Sequence, residues 1–328
     1  MSEIKRGVSL YSYQEEYFLH KLSLEQCIAV TTSMGAYGIE TLAEQMMPGF
    51  PRLSDAFYEQ WREWMRIYGG IPTCHDAFLD FKKYKDRMLT MDEMVAEVSR
   101  DIKHAAKLGA RCIRMLVTCP ADLLERCAPI AADHGVWLGV EVHSPFPITH
   151  EWIQRHLEVA YRVGTDKLGV IPDMGIYVER FPRVVYERYI RDGAQEHLVR
   201  KIVERYDSHV DLKSLPEEIE KLGGNALDVA FARMVGHYCY SDPRKLGDIV
   251  SAVKHIHGKF YEMTEEGREF SIPYDAIVSA LAKRGYDGYI SSEYEGNRHI
   301  QDAFPVDSIE QVRRHQRMLG KLIAQAKN

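Results

Sequence analysis

The chain has 328 residues, 45% of them hydrophobic, enough to bury a large core as either one α/β barrel or two ordinary domains. A net charge of −6 without any long Lys/Arg block argues against a nucleic-acid surface. No apolar run approaches a membrane span, and the opening MSEIKRGVSLYSY lacks the apolar stretch of a secretory signal, so the expected compartment is the cytoplasm.

Short β-rich segments ending in polar residues alternate with segments of helical period, the pattern of βα units around a parallel sheet. In chain order the expected strands are GVSLYSY (7–13), GIETL (38–42), IPTCHDA (71–77), CIRMLVT (112–118), WLGVEVHS (137–144), LGVIPDMG (168–175), HIHGKFYE (255–262) and GYISSEYE (288–295). The helices between them carry start signals: Ser23 with Gln26 and Thr90 with Glu93 form capping boxes, and Ser54 precedes the stripe Phe57, Trp61, Trp64, Tyr68, which reads as core. Gly109 and Gly285 close helices before the next strand. Eight such units spell a single (β/α)₈ TIM barrel over residues 1–328; a doubly wound sheet is less suited because no Gly-rich phosphate loop follows the first strand. The six cysteines (Cys27, Cys74, Cys112, Cys119, Cys127, Cys239) are scattered without a CxxC pair and are expected to be buried, reduced thiols.

One interval breaks the rhythm. Residues 176–250, between strands six and seven, exceed what a single crossover needs and include the charged, aromatic stretch ERFPRVVYERYIRDG. An insertion on the loop face of a barrel is the usual place for a lid or a partner-binding element; its composition suits a docking rim.

Four ligand-type side chains end four consecutive strands: Glu141, Asp173, His257 and Glu293. Three carboxylates buried together repel one another unless a cation compensates. Three carboxylates and one imidazole suit Mn²⁺ first, with Mg²⁺ or another divalent ion as alternatives, better than a sulfur-lined zinc site. His143 stands two residues beyond Glu141, on the same face of a pleated strand.

Glu in GVEVH, Asp in IPDMG, the second His of HIHGKF and Glu in SSEYEG together resemble the metal site of the sugar phosphate isomerase/epimerase superfamily, the xylose isomerase-like TIM barrels. The phrases RGVSLYSYQEEYF, CHDAFLD, VEVHSPF, VIPDMGIYVERFPR and HIHGKFYEM extend the likeness over most of the chain to the α subunits of bacterial C-glycoside deglycosidases. That resemblance implies cleavage of the carbon–carbon bond of a 3-oxo-C-glycoside by enolate formation and elimination, in a hetero-oligomer with a small β subunit that covers the loop face. A metal-dependent keto-sugar epimerase or isomerase is the alternative, and a barrel that binds a sugar without turnover is a third reading. The related abasic-site endonucleases need further metal ligands and a basic groove, which the acidic balance disfavours.

A C-glycoside has no leaving oxygen to protonate, so the reaction needs a general acid/base group beside the metal but outside its ligands. His143 is the candidate because histidine titrates near neutrality, and the resemblance to the keto-sugar epimerases implies that Glu141 and Glu293 assist proton transfer. For substrate contacts the candidates are His75, Lys259, Tyr11 and Phe146, with Tyr13, Phe78 and Phe181 as further aromatic wall. Glu40 and Asp76 either bind sugar hydroxyls or stitch loops, and Arg114, inside a strand, is expected to have an internal carboxylate partner.

Overall fold

Eight parallel strands, β1 (Lys5–Ser9), β2 (Gly38–Thr41), β3 (Ile71–Ala77), β4 (Cys112–Met115), β5 (Trp137–Val142), β6 (Leu168–Pro172), β7 (His255–Phe260) and β8 (Tyr289–Tyr294), alternate with helices in the computed structural model, which describes residues 3–238 and 240–326. They pair in the order β6-β5-β4-β3-β2-β1-β8-β7. The ring is nearly closed: β6 and β7 meet at the isolated bridges Val170–Val253 and Asp173–His257. The seam therefore brings together two of the four residues expected at a metal site.

Local chemistry explains the helix boundaries. Both capping boxes form, Ser23 with Gln26 and Thr90 with Glu93, and the Ser54 hydroxyl accepts from the Phe57 amide. Gly109 and Gly285 take positive φ (81° and 72°), the left-handed turn that lets the chain leave a helix for the next strand. In the helix Asp55–Tyr68 the inward line is Tyr58, Trp61 and Met65, while Phe57, Trp64 and Tyr68 are half-buried beside it. The aromatic stripe is thus offset from the face that packs most deeply.

All strands but β3 end earlier than their sequences suggest, and after β1 and β6 a 3₁₀ turn takes over. After Ser9 the chain enters a 3₁₀ turn, Leu10–Tyr13, held to the barrel because the Ser12 hydroxyl donates to Ser292 O and accepts from the Tyr294 amide, each at 3.0 Å. β6 stops at Pro172, and the Asp173 carboxylate caps the 3₁₀ turn Met174–Ile176 by accepting from the Gly175 amide at 2.6 Å.

Within the insertion lie the helices Arg183–Arg191, Glu196–Asp207, Leu215–Lys221 and Ala226–Val235. Phe181 packs edge-on against Tyr206, Phe231 and Tyr238, and these insertion residues join the cluster that contains the barrel's own core. Cys27, Cys74, Cys112, Cys119 and Cys127 are buried free thiols; Cys239 lies outside the described residues. Among the described residues no helix is long and apolar enough to cross a membrane.

Candidate metal centre

Strand periodicity sorts the barrel interior into layers. At the floor Cys74, Cys112, Trp137 and Ile171 form a small apolar cluster. Glycines make room for the indole: a Cβ on Gly139 would stand 2.4 Å from Trp137 Cζ3, and one on Gly169 2.7 Å from Cζ2. Two residues further along β3 and β4 stand Asp76 and Arg114, and with Glu141, four beyond Trp137 on β5, and His257 of β7 they make a buried polar layer.

His257 is the hinge of this layer. Its Nδ1 lies 2.9 Å from Glu141 Oε1 and 3.5 Å from Glu293 Oε1, while its Nε2 faces Glu40 Oε1 at 2.6 Å. The other Glu40 oxygen meets His255 Nε2 at 2.5 Å. Glu40 therefore braces two imidazoles from below, as carboxylates brace metal-binding histidines, and leaves Nδ1 of His257 directed toward the carboxylates above. It is neither a loop stitch nor open to a sugar.

Glu141, Asp173, His257 and Glu293 each offer a ligand atom within 4.8 Å of the others, and all four are buried. Glu293 Oε2 is buried without a hydrogen bond, and Asp173 Oδ2 has the Lys259 ammonium at 2.7 Å as its ion-pair partner. Such a donor set, three carboxylates and an imidazole crowded out of water, can hold a hard divalent cation. The electrostatics agree with the crowding. Burial pushes Glu293 up to about 8, the neighbouring Asp173 and Glu141 carboxylates adding to the push and His257 and Lys259 only partly opposing it. Burial also acts on Glu141, yet Arg114 and His257 outweigh it and hold that carboxyl well below its usual range. For His257, Glu40 and Glu293 overcome burial and raise the imidazole well above its ordinary value.

Arg114 does have its carboxylate partner: Nε lies 3.2 Å from Asp76 Oδ1, both side chains buried. Its charge also bears on Glu141, Glu293 and Glu40. Arg114→Met should therefore cost roughly 3–5 kcal/mol, because it strands a buried carboxylate, whereas Arg114→Met with Asp76→Leu should recover part of that loss. Urea unfolding of the three proteins measures it.

At the rim, Lys259 is enclosed rather than free to search for sugar. Its ammonium lies 2.7 Å from Asp173 Oδ2, 3.0 Å from His143 Nε2 and 3.6 Å from both Glu293 and Glu295. The ammonium donates to His143 Nε2, so Nδ1 carries the proton and donates to Ser144 O at 2.7 Å. β5 ends at Val142, which places His143 on the first loop residue with its side chain 39% exposed and its Nε2 3.9 Å from Asp173 Oδ2.

Other expected contacts fall elsewhere. His75 points away from the interior into the helix layer, buried between the rings of Phe50 and His104, because it alternates with the inward Cys74 and Asp76; substrate cannot reach it. Tyr13 and Phe181 are core residues. Phe146 packs on His150, and Phe78 lies near the Arg114 guanidinium. Tyr11 does reach the rim, its hydroxyl donating to Glu295 Oε1 at 3.2 Å.

Beside the rim opens a cavity of about 330 Å³ lined by His143, Lys259, Tyr261 and Glu295 on the barrel side and by Tyr189, Met234 and Tyr238 from the insertion. Sequence reasoning missed those three, because nothing in their spacing says that the insertion folds back over the barrel mouth.

Residues 28–322 match the family described as xylose isomerase-like TIM barrel. The 3'-dehydrocarminate deglycosidase alpha subunit of Microbacterium sp is 30% identical over 98% of this chain and 97% of that protein. The C-glycoside deglycosidase alpha subunit of Microbacterium trichothecenolyticum is 30% identical over 94% of this chain and 88% of its own length. Among solved structures, a sugar phosphate isomerase/epimerase from Parabacteroides distasonis ATCC 8503 shares the fold with a TM-score of 0.59 at 12% identity, covering 100% of this chain and 96% of that one. The chain belongs to the xylose isomerase-like TIM barrel family and, within it, to the enzyme family of the C-glycoside deglycosidase alpha subunits.

Proposed function

We propose that this chain is the large subunit of a cytoplasmic enzyme that breaks the carbon–carbon bond between a 3-oxo sugar and a phenolic aglycone. The observation that carries the reading is proximity: Lys259, which ion-pairs with Asp173 and Glu293 of the four clustered residues, also lines a cavity walled by tyrosines. A sugar at the centre would place its C1 substituent against aromatic rings. The likeness to two alpha subunits over nearly their whole length supports the same reading.

Glu141, Asp173, His257 through Nδ1, and Glu293 are the residues to hold the cation, Mn²⁺ by the hardness of the donors. When bound, it supplies Lewis acidity at the 3-oxo group, which makes the C2 proton acidic. Glu293, the carboxyl with the stronger hold on a proton, receives that proton, while Glu141 stays ionised beside Arg114. The C2–H electron pair forms the enolate; as the C3 carbonyl returns, C1–C2 becomes a double bond and the C1–aryl bond breaks. Its electron pair leaves with the aryl carbon, which takes a proton relayed from the Lys259 ammonium, 3.0 Å away, through His143 Nε2.

A small, separately encoded β subunit is the proposed partner. Phe18 and Leu19 after β1, Met88 after β3 and Phe304 after β8 are each more than half exposed on the loops that surround the site. Large apolar side chains left bare on a catalytic face suit a covering protein. The buried free thiols suit a reducing compartment.

Cation binding should release protons. Below about pH 8 Glu293 holds a proton, and His257 is charged well above its ordinary range; a cation displaces both. About two protons per ion are expected near pH 7, falling toward one, from His257, as pH rises past 8. Affinity must therefore climb with pH, steeply below about 8 and less steeply above it, where only His257 still gives up a proton. Mn²⁺ titration in weakly buffered solution measures this, and no proton release near neutrality would count against the assignment. The epimerase alternative is tested by product: that enzyme returns the proton to the sugar and liberates no phenol.

A further inference from the structure

The tyrosines of the cavity are fixed from behind. Phe181 packs edge-on against Tyr238 with ring centroids 4.8 Å apart, and Phe231 lies 4.8 Å from the ring of Tyr189. Phe181 and Phe231 are buried and in contact with each other at 5.5 Å. Tyr261, from the end of β7, faces Tyr238 at 6.2 Å. The insertion thus presents aromatic faces whose positions are set by its own core before any ligand arrives, which lowers the entropic cost of receiving a flat molecule.

The roof is fixed as well. Arg191 grips Asp302 through two 3.0 Å bonds and donates to His299 O at 2.6 Å, and Arg188 adds a 2.8 Å ion pair to Asp302. These bonds tie the helix Arg183–Arg191, which gives Tyr189 to the cavity wall, to the loop after β8, which gives Arg298 and His299. Arg298, in the same loop, lines the cavity while its Nε is held by Glu295 Oε2 at 3.0 Å.

We propose that Tyr189, Met234 and Tyr238 of the insertion, with Tyr261, form the aglycone subsite: a slot whose aromatic wall receives a planar, fused-ring phenol with a phenolic oxygen toward Arg298. The insertion is then the inner wall that selects the aglycone, rather than a docking rim alone. This assignment rests on the deglycosidase reading of the same site and names what that reading leaves open. The cavity's volume of about 330 Å³ is at the small end of pockets that hold drug-sized ligands, which favours a compact flat nucleus over a branched one.

Binding of a free phenol tests the subsite without turnover and without metal. The full chain is titrated with 5,7-dihydroxyflavone by calorimetry, alongside Tyr238→Ala, Tyr238→Phe and Met234→Trp, with thermal melts to establish folding. Tyr238→Ala should bind about tenfold or more weakly, Tyr238→Phe should stay near wild type because the ring face remains, and Met234→Trp should block the slot. Mn²⁺ content should match wild type in all three. Should Tyr238→Ala fail to fold, Met234→Trp decides alone. Unchanged flavone affinity in the folded variants, in a protein that cleaves a 3-oxo-C-glucoside with its partner, overturns the subsite and leaves the deglycosidase reading intact. No flavone binding by the wild type, together with epimerisation of a free ketohexose, sinks both.

Discussion

Glu141→Gln and Asp173→Asn should each lose most bound divalent metal and most activity together. The two changes remove one negative ligand apiece from a buried set of three carboxylates and one imidazole, and a hard cation depends on that charge. Position makes the losses sharp. Asp173 is fixed by its bond to the Gly175 amide and by the Asp173–His257 bridge at the barrel seam. Glu141 is held ionised by Arg114, and its amide replacement would also leave that guanidinium short of a compensating charge. Metal analysis of the purified, folded variants measures the effect. Full occupancy in both would remove the proposed centre.

His143→Ala should separate chemistry from binding. The imidazole lies 3.9 Å from Asp173 through Nε2, on the loop beyond β5, and is bonded to Lys259 and Ser144 O rather than to the clustered ligand atoms. The variant should retain its metal yet turn over about 10²-fold or more slowly, the scale of a lost general acid/base. Because half-exposed His143 lies outside the core, its removal should leave the fold intact. A near-wild-type rate would take His143 out of the mechanism, whereas metal loss would make it part of the centre.

What the sequence made legible follows strand periodicity. Glu141, Asp173, His257 and Glu293 sit at inward positions of consecutive strands, and a barrel turns such positions toward one another without further information. β3 runs over the residues its sequence marks, Ile71–Ala77, because Ile, Thr and Ala there alternate cleanly before the loop. LYSY after β1 reads as strand because a short apolar run has the same composition in a strand or a 3₁₀ turn; the bonds from Ser12 to β8 decide it, and those are tertiary. His75 misleads for a related reason: next to Asp76 it looks like a site residue, but alternation sends the two to opposite faces. Glu40 could have been found from the HxH strand, since a deep buried His255 demands a partner and β2 offers an inward carboxylate at the matching depth. Tyr189, Met234 and Tyr238 had no such signal. They come together through the packing of insertion helices over the barrel mouth, which no local period encodes.

The most direct measurement incubates the Mn²⁺-loaded chain with a 3-oxo-C-glucoside, alone and with a small partner protein, and follows the free aglycone and the sugar product. A barrel that leaves its site open to water cannot steer the proton to the aryl carbon until a partner covers it. The chain alone should fold, bind metal and release little or no aglycone; with the partner, aglycone should appear in step with loss of the glycoside. Rapid release by the chain alone would contradict the partner requirement. Absence of release with metal and partner both present, while a free ketohexose is epimerised, would contradict carbon–carbon cleavage itself.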